Sequence, residues 1–298
     1  MASNTRMSIN ADRIKADLTL LLVALIWGSA FVAQRTIADD IGVLTFNGVR
    51  FLIGALLVVP LARRHWQSLA RIDSLGVLMA GLLLLGGAAF QQFGLRFTTA
   101  GNAGFVTGLY VVIIPIILAF GWRKAPRKAI WGAALLASTG LFLLSTGGRL
   151  SLALGDGLEF LGAVFFAMHV IIISWLVKRV HVYQLAVYQY FVCGLLSLLI
   201  GLAFETNAIQ GWLQSGWSML YTGVLSVGVG YTLQAAGQRI APPADAAVIL
   251  SMEAVFAALF GWLLLGELLT PIQLLGCSFM LAGMLLAQAN VIVEEEEK

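Results

Sequence analysis

LGVLMAGLLLLGGAAFQQFGL, residues 75–95, is 21 residues long and holds no charged side chain. An α-helix rises 1.5 Å per residue, so about 20 apolar residues cross a hydrocarbon core of roughly 30 Å, and this stretch reads as a membrane span. Outward from it the same pattern recurs. Spans are predicted at Leu18–Gln34, Leu44–Leu61, Leu75–Leu95, Ala100–Gly121, Ala129–Thr146, Leu158–Val177, Tyr183–Phe204, Met219–Ala236, Ala244–Leu265 and Ile272–Ala289. The joins between them are short and often charged, as in Arg123-Lys124-Ala125-Pro126-Arg127-Lys128, so sequence neighbours should pack antiparallel. The expected fold is an all-α integral membrane protein with ten transmembrane helices.

Composition agrees with that reading. Hydrophobic residues make up 60% of the chain and charged residues 11%, with a mean hydropathy of +0.92; a soluble domain carries roughly 25% charged residues. No soluble catalytic or nucleotide-binding domain is left over, and no G-x-x-x-x-G-K-[ST] loop is present to drive transport by nucleotide hydrolysis. The net charge of +3 and the pI near 9.0 follow from Lys and Arg in the joins, and no nucleic-acid partner is expected. Met1–Asp17 is polar and no small-residue cleavage site follows the first apolar run, so that run is expected to be retained as a span. Cys193 and Cys277 lie in apolar segments and read as packed thiols. His65, His169 and His181 are scattered along the chain. Neither a metal nor a cofactor is expected.

With the N-terminus inside, 14 of the 18 Lys and Arg residues fall on the cytoplasmic side, while Arg35, Arg96 and Arg149 fall on the other and Arg50 lies within a span. The positive-inside bias therefore puts both termini in the cytoplasm, in an inner (plasma) membrane. Asp39, Asp40, Asp156, Glu159, Glu205 and Glu267 fall mostly outside, and Glu294–Glu297 reads as a solvated acidic tail.

The second half of the chain repeats the first. A shift of 143 positions superposes Gln91 on Gln234, Gly94 on Gly237, Arg96 on Arg239, Ala103 on Ala246 and Gly140 on Gly283, and a shift of 139 sets Ala24–Gly28 beside Ala163–Ala167. Five spans are followed by five related ones. Five is odd, so the copies are inverted, and Lys124 in a cytoplasmic join aligns with Glu267 in an external one. Two inverted copies can form one structure that opens to either side of a central site.

The residues Trp27-Gly28-Ser29-Ala30-Phe31-Val32, Asn47-Gly48-Val49-Arg50-Phe51-Leu52-Ile53-Gly54 and Glu253-Ala254-Val255-Phe256-Ala257-Ala258-Leu259-Phe260-Gly261-Trp262 through Gly266-Glu267, continued by Thr270, Gln273, Gly276 and Gly283, resemble the drug/metabolite transporter superfamily. The likeness is to its ten-span exporters with two EamA-type repeats, including the aromatic amino acid exporter branch, and it covers nearly the whole chain. It implies a cytoplasmic segment 1–17, a first repeat over 18–147, a second over 156–289 and a cytoplasmic acidic tail at 290–298. It also implies export of amino acids, other metabolites or cationic drugs from the cytoplasm. Two positions depart from the family pattern. Ala254 stands where relatives commonly carry proline after the glutamate, and Lys124 replaces the acid often found at the end of the fourth span, so the resemblance by itself does not imply the helix break or acid pairing that relatives derive from those residues.

Within the spans the unpaired ionisable groups are few and read as Arg50, His169 and Glu253, each costing at least ~2.5 kcal/mol at mid-helix and so needing a partner or a wet cavity. Arg50 reads either as a snorkelling or helix-pairing cation or as a gating group. Glu253 reads either as a protonated structural donor or as the binder of an amine or a transported proton. His169, beside Phe165 and Phe166, reads as a satisfied core histidine or a proton relay. At ~9 Å from the outer side and ~12 Å from the inner, Arg50 and Glu253 leave ~9 Å between them along the normal, more than a small zwitterion spans, so they are expected to act at different steps. The substrate cavity is expected to be lined by Trp27, Asn47, Gln91, Gln92, Tyr110, Phe166, His169, Tyr188, Gln234 and Glu253, an apolar mixture with a few directional hydrogen bonds. Asn102, Gln189, Tyr190 and Tyr231 also lie on spans. Gly86-Gly87, Gly104-x-x-x-Gly108, Gly228-x-Gly230 and Gly276 to Gly283 allow helices to approach closely.

The expected function is secondary transport: export of a small organic solute, an amino acid or a related amphipathic metabolite, by alternating access, with proton coupling through Glu253. The alternatives are a cationic-drug or nucleobase exporter of the same fold and, more remotely, an intramembrane enzyme, which would need a converging acid, base or metal set. The expected partners are the small-molecule substrate and the lipid bilayer, with the protein a monomer or weak oligomer.

Overall fold

The computed structural model describes residues 2–35, 37, 40–97, 100–148, 154–205, 212–266 and 268–296. Over these residues the chain is helical throughout: α1 (Ala2–Arg35), α2 (Val43–Ala62), α3 (Arg71–Gly94), α4 (Ala100–Gly108), α5 (Tyr110–Ile116), α6 (Lys128–Thr146), α7 (Leu154–Leu176), α8 (Val182–Phe204), α9 (Trp212–Tyr221), α10 (Thr232–Gly237), α11 (Pro243–Leu250), α12 (Glu253–Leu265) and α13 (Pro271–Glu296). Among the described residues nine helical stretches are long and apolar enough to cross a membrane. The tenth expected span, Met219–Ala236, is built from α9, a π-helical run over Thr222–Tyr231 and α10 in direct succession. Large apolar side chains such as Phe120, Phe204, Trp217 and Leu268 point outward, a surface suited to lipid.

The irregular points have local causes. Pro115 lacks the N–H that would continue the ladder, and a π turn follows it at Ile117–Gly121. The fourth span breaks at Leu109, between α4 and α5, and the ninth at Ser251–Met252, between α11 and α12. Short i→i+3 bonds mark both breaks: Leu109 N–H to Val106 O at 3.2 Å and Met252 N–H to Ile249 O at 3.1 Å. The ninth span thus breaks without the proline that Ala254 replaces. Ser251 Oγ–H donates back to Val248 O at 2.8 Å, a local bond that competes with the helix ladder.

Helix pairing follows the repeat. α2 packs along α8, which joins the second span to the seventh, and α6 packs along α13, which joins the fifth to the tenth. The contact of α3 with α7 is mirrored by that of the eighth span with α1. Glycines set the closeness symmetrically. A methyl group added at Gly87 would stand 2.7 Å from Phe166 Cε1, and one added at its equivalent, Gly230, 2.7 Å from Trp27 Nε1. Gly140 and Gly276 bring α6 and α13 so near that a methyl group on either meets the other's carbonyl oxygen at 2.5 Å. The fold is two inverted five-span repeats interleaved about one interior.

Both terminal stretches are helical where described: α1 runs from Ala2 and α13 continues to Glu296. Asp39, Arg149, Glu267, Glu297 and Lys298 lie outside the described residues, as do the side chains of Asn102 and Glu294 to Glu296.

Candidate functional site

The two helix breaks place the central residues. Tyr110 is the first residue of α5 and Glu253 the first of α12, and the 143-residue shift superposes them. Tyr110 O–H donates to Glu253 Oε1 at 3.0 Å, so repeat equivalents meet at the centre. Around them lies a cavity whose walls come from both repeats in matched places: Trp27 with Phe166, Phe31 with Val170, Gln91 with Gln234, and Thr107 with Leu250. Gln34, Arg50, His169, Ser226 and Tyr231 complete the lining.

The polar groups on the wall have distinct partners. Trp27 Nε1–H donates to Ser226 O at 3.1 Å within the π-helical run, and its ring packs 4.6 Å from that of Tyr231. Arg50, 3% exposed, donates from Nη1 to Gln34 Oε1 at 2.7 Å and lies over the rings of Phe46 and Phe51 at 5.0 and 5.2 Å. Its Nε has no hydrogen-bond partner, and no carboxylate pairs with it among the described residues. His169 Nε2–H donates to Gln189 Oε1 at 2.8 Å, and the ring meets Tyr231 edge-on. His169 is therefore a satisfied core histidine that also faces the cavity.

The cavity is tight. Its free volume is about 40 Å³, room for a few waters at ~10–15 Å³ each and less than an organic solute needs. A second chamber of about 170 Å³ adjoins it at Phe31 and Glu253 and runs past Ala254 and Ala257 to Arg35, Ser145, Leu269 and Gln273. The latter residues lie at the end of the bundle that also holds the turn after α1; we call it end B and the opposite end A.

End A is fastened by charge. Asp245, in the first turn of α11, accepts from Arg13 Nη2 at 2.8 Å and Arg127 Nη2 at 2.7 Å, while Arg13 Nε also pairs with Asp17 at 3.0 Å. These contacts tie α1, the join before α6 and α11 together. Arg179 pairs with Asp73, and Gln184 Nε2–H donates to Gln67 O at 2.7 Å. His65 and His181 stack at 3.8 Å, so two of the histidines read as scattered are brought together. Burial, then His65, then Arg239 push His181 below its ordinary value of 6.5.

Three residues read from the sequence as cavity lining stand elsewhere. Tyr188 packs on Trp66 at 5.1 Å in an outer groove; Tyr190, two residues and about 200° further around the helix, is the buried one. Asn47, one turn before Arg50, is fully buried with neither amide atom bonded. Gln92 is rotated about 100° from Gln91, and its Oε1 has no partner. Trp27, Gln91, Tyr110, Phe166, His169, Gln234, Glu253 and Arg50 are brought together. The sequence reading missed Gln34 and Thr107, which look like ordinary span residues, and Glu159 and Glu205, which it put outside. Glu205 caps α2, accepting from Leu44 N–H, Thr45 N–H and Thr45 Oγ1–H at 2.8–3.0 Å. Glu159 is buried against α3 and α4.

A bundle of inverted repeats around a polar cavity in an apolar shell defines a multi-pass membrane transporter. Residues 14–146 and 153–288 each match the EamA-like transporter family, and the chain belongs to that family; it is a transporter and not an enzyme. It is 35% identical over 279 residues to a protein of Archaeoglobus fulgidus named an uncharacterized transporter, covering 94% of this chain and 87% of the relative. It is 29% identical to the uncharacterized transporter YwfM of Bacillus subtilis, covering 92% and 93%. A solved structure described as "Crystal structure of protein" superposes with a TM-score of 0.79 at 18% identity, covering 92% of this chain and 98% of that one, a likeness of fold.

Proposed function

We propose that the protein exports small organic solutes, amino acids or related amphipathic metabolites, from the cytoplasm across an inner (plasma) membrane by alternating access. The observation that carries this reading is the matched lining of the cavity by both repeats, because symmetry-related halves around one site can exchange inward-open and outward-open forms. Apolar walls with Gln91, Gln234 and the Tyr110–Glu253 pair suit an amphipathic solute. End A carries most of the Lys and Arg and is assigned to the cytoplasm with both termini. The state described is then shut inside by ion pairs and open outside through the second chamber, with the centre constricted. The two repeats are taken as 18–147 and 156–289. Trp27, Gln91, Tyr110, Phe166 and Gln234 bind substrate, Glu253 carries a coupling proton, and Arg50 holds the outer gate by tying α2 to α1 through Gln34.

The test is counterflow in liposomes holding the full chain, with a mixture of radiolabelled proteinogenic amino acids as probe. Exchange is expected, and Trp27→Ala or Gln91→Ala should weaken it while the protein remains extractable at normal yield. Exchange of a labelled organic cation or nucleobase with none of any amino acid would overturn the substrate assignment. Full exchange by both variants would remove Trp27 and Gln91 from the site.

A further inference from the structure

Glu159 is fully buried on α7, five residues from the helix start. Its Oε2 accepts the hydroxyl proton of Thr107 at 2.7 Å, Thr107 Oγ1 in turn accepts from Gln91 Nε2 at 3.4 Å, and Oε1 has no partner. Thr107 and Gln91 both line the central cavity. Thr107 and Tyr110 are three residues apart on the fourth span, so that span touches two buried carboxylates, Glu159 through one side chain and Glu253 through the other.

Symmetry shows that packing does not require this acid. The repeat equivalents of Glu159 and Thr107 are Leu20 and Leu250. A methyl group on Gly94 would stand 2.7 Å from Glu159 Cγ, and one on its equivalent, Gly237, 2.8 Å from Leu20 Cγ. The same niche therefore exists twice, filled once by leucine and once by a carboxyl group. Of the titratable groups, Asp156 stands one turn earlier on α7, and Tyr110 and His169 lie deeper along the cavity. The faces of α3 and α4 turned to Glu159 bring Gln91, Gly94 and Thr107, none of them ionisable, while Arg96 past the end of α3 donates to Ile41 O at 2.8 Å. An ionised Glu159 has one hydrogen bond and no paired cation among the described residues; the neutral acid needs neither.

We propose that Glu159, held to the cavity wall by Thr107, is a proton-binding site through which protons from end B reach the cavity and Glu253. The step is binding and release: a proton adds to a carboxylate oxygen and neutralises it, then leaves to water in the cavity. Its placement between the end-B end of α7 and the cavity gives it the direction required for proton entry against solute export. This rests on the proton coupling assigned above to Glu253.

The experiment uses the full chain in liposomes with the labelled amino acid mixture, comparing counterflow at equal pH with uptake driven by a pH gradient acid on the end-B side. Glu159→Gln, and Glu159→Leu, which puts into the niche the residue that fills it in the other half, should lose gradient drive and keep counterflow. Unchanged drive in both, or parallel loss of drive and counterflow in both, overturns the proposal. If Glu253→Gln loses drive while the Glu159 variants keep it, Glu253 coupling stands and the Glu159 site fails; if wild type shows no drive, the coupling itself fails. An infrared difference spectrum between acid and alkaline buffer needs no substrate. A carboxyl band lost in Glu159→Gln and retained in Glu253→Gln is expected, and its absence also overturns the proposal.

Discussion

Glu253 and Tyr110 occupy equivalent places in the two repeats, so the centre of the molecule holds one carboxyl group and one phenol where strict symmetry would give two alike. Arg50 faces the same cavity but is anchored to Gln34 and to two phenylalanine rings. Because these contacts are not shared with Glu253, Arg50→Ala and Glu253→Gln should affect different steps, and their effects on transport should add within about 0.5 kcal/mol. Equal loss of apparent affinity in each single variant, with no further loss in the double, would instead make them the two ends of one substrate clamp. Glu253, Gln91 and Gln234 were legible because a polar side chain deep in an apolar run needs a reason to be there. Glu159 was not, since it lies close to a span end, and its burial depends on where α3 and α4 pass. Tyr188 was misplaced because a list of span residues does not say which way each helix is turned.

At the scale of elements, hydropathy located the helices but not their irregularities. The break at Ser251–Met252 comes from short-range bonding in a sequence with no proline, and the π-helical run sits where Trp27 takes Ser226 O, a contact between residues 199 apart. Glycine spacing was legible as close packing, yet only the structure shows that Gly140 and Gly276 abut. Gly276→Val should therefore destabilise the α6–α13 pair by about 1–3 kcal/mol, read as a lower melting temperature in detergent, whereas a change at the half-buried Gly216, where an added methyl group meets open space, should leave it unaltered. The His65–His181 stack gives a pH dependence. His181 is held below 6.5 in the folded protein, so the unfolded chain binds protons first on acidification. The stack's contribution is full above about 6.5 and is lost as pH falls below it. Melting temperature should drop between neutral and mildly acid pH by more in wild type than in His181→Phe; equal slopes would show that the stack contributes nothing.

For the whole molecule, the ten spans and their inverted repetition were legible almost entirely, because the bilayer forces every backbone polar group into a helix and the odd number of spans sets the relation of the halves. A tag at either terminus should be unreachable from outside intact cells until the membrane is permeabilised; labelling of a C-terminal tag on intact cells would reverse the assignment of ends A and B. The two ends differ at matched positions. Asp17, Asp245 and Arg127, which pair at end A through Arg13 and one another, have Asp156, Asn102 and Thr270 as their repeat equivalents, so two of the three charged positions are uncharged in the other half. A machine built from mirrored halves then carries on one door a latch whose charges the other door does not repeat. Under the export cycle proposed above, that latch biases the resting carrier toward the form shut on the loading side, and unlatching must precede loading. Because the side chain of Asp245 is only 4% exposed, salt in the surrounding water screens these pairs little.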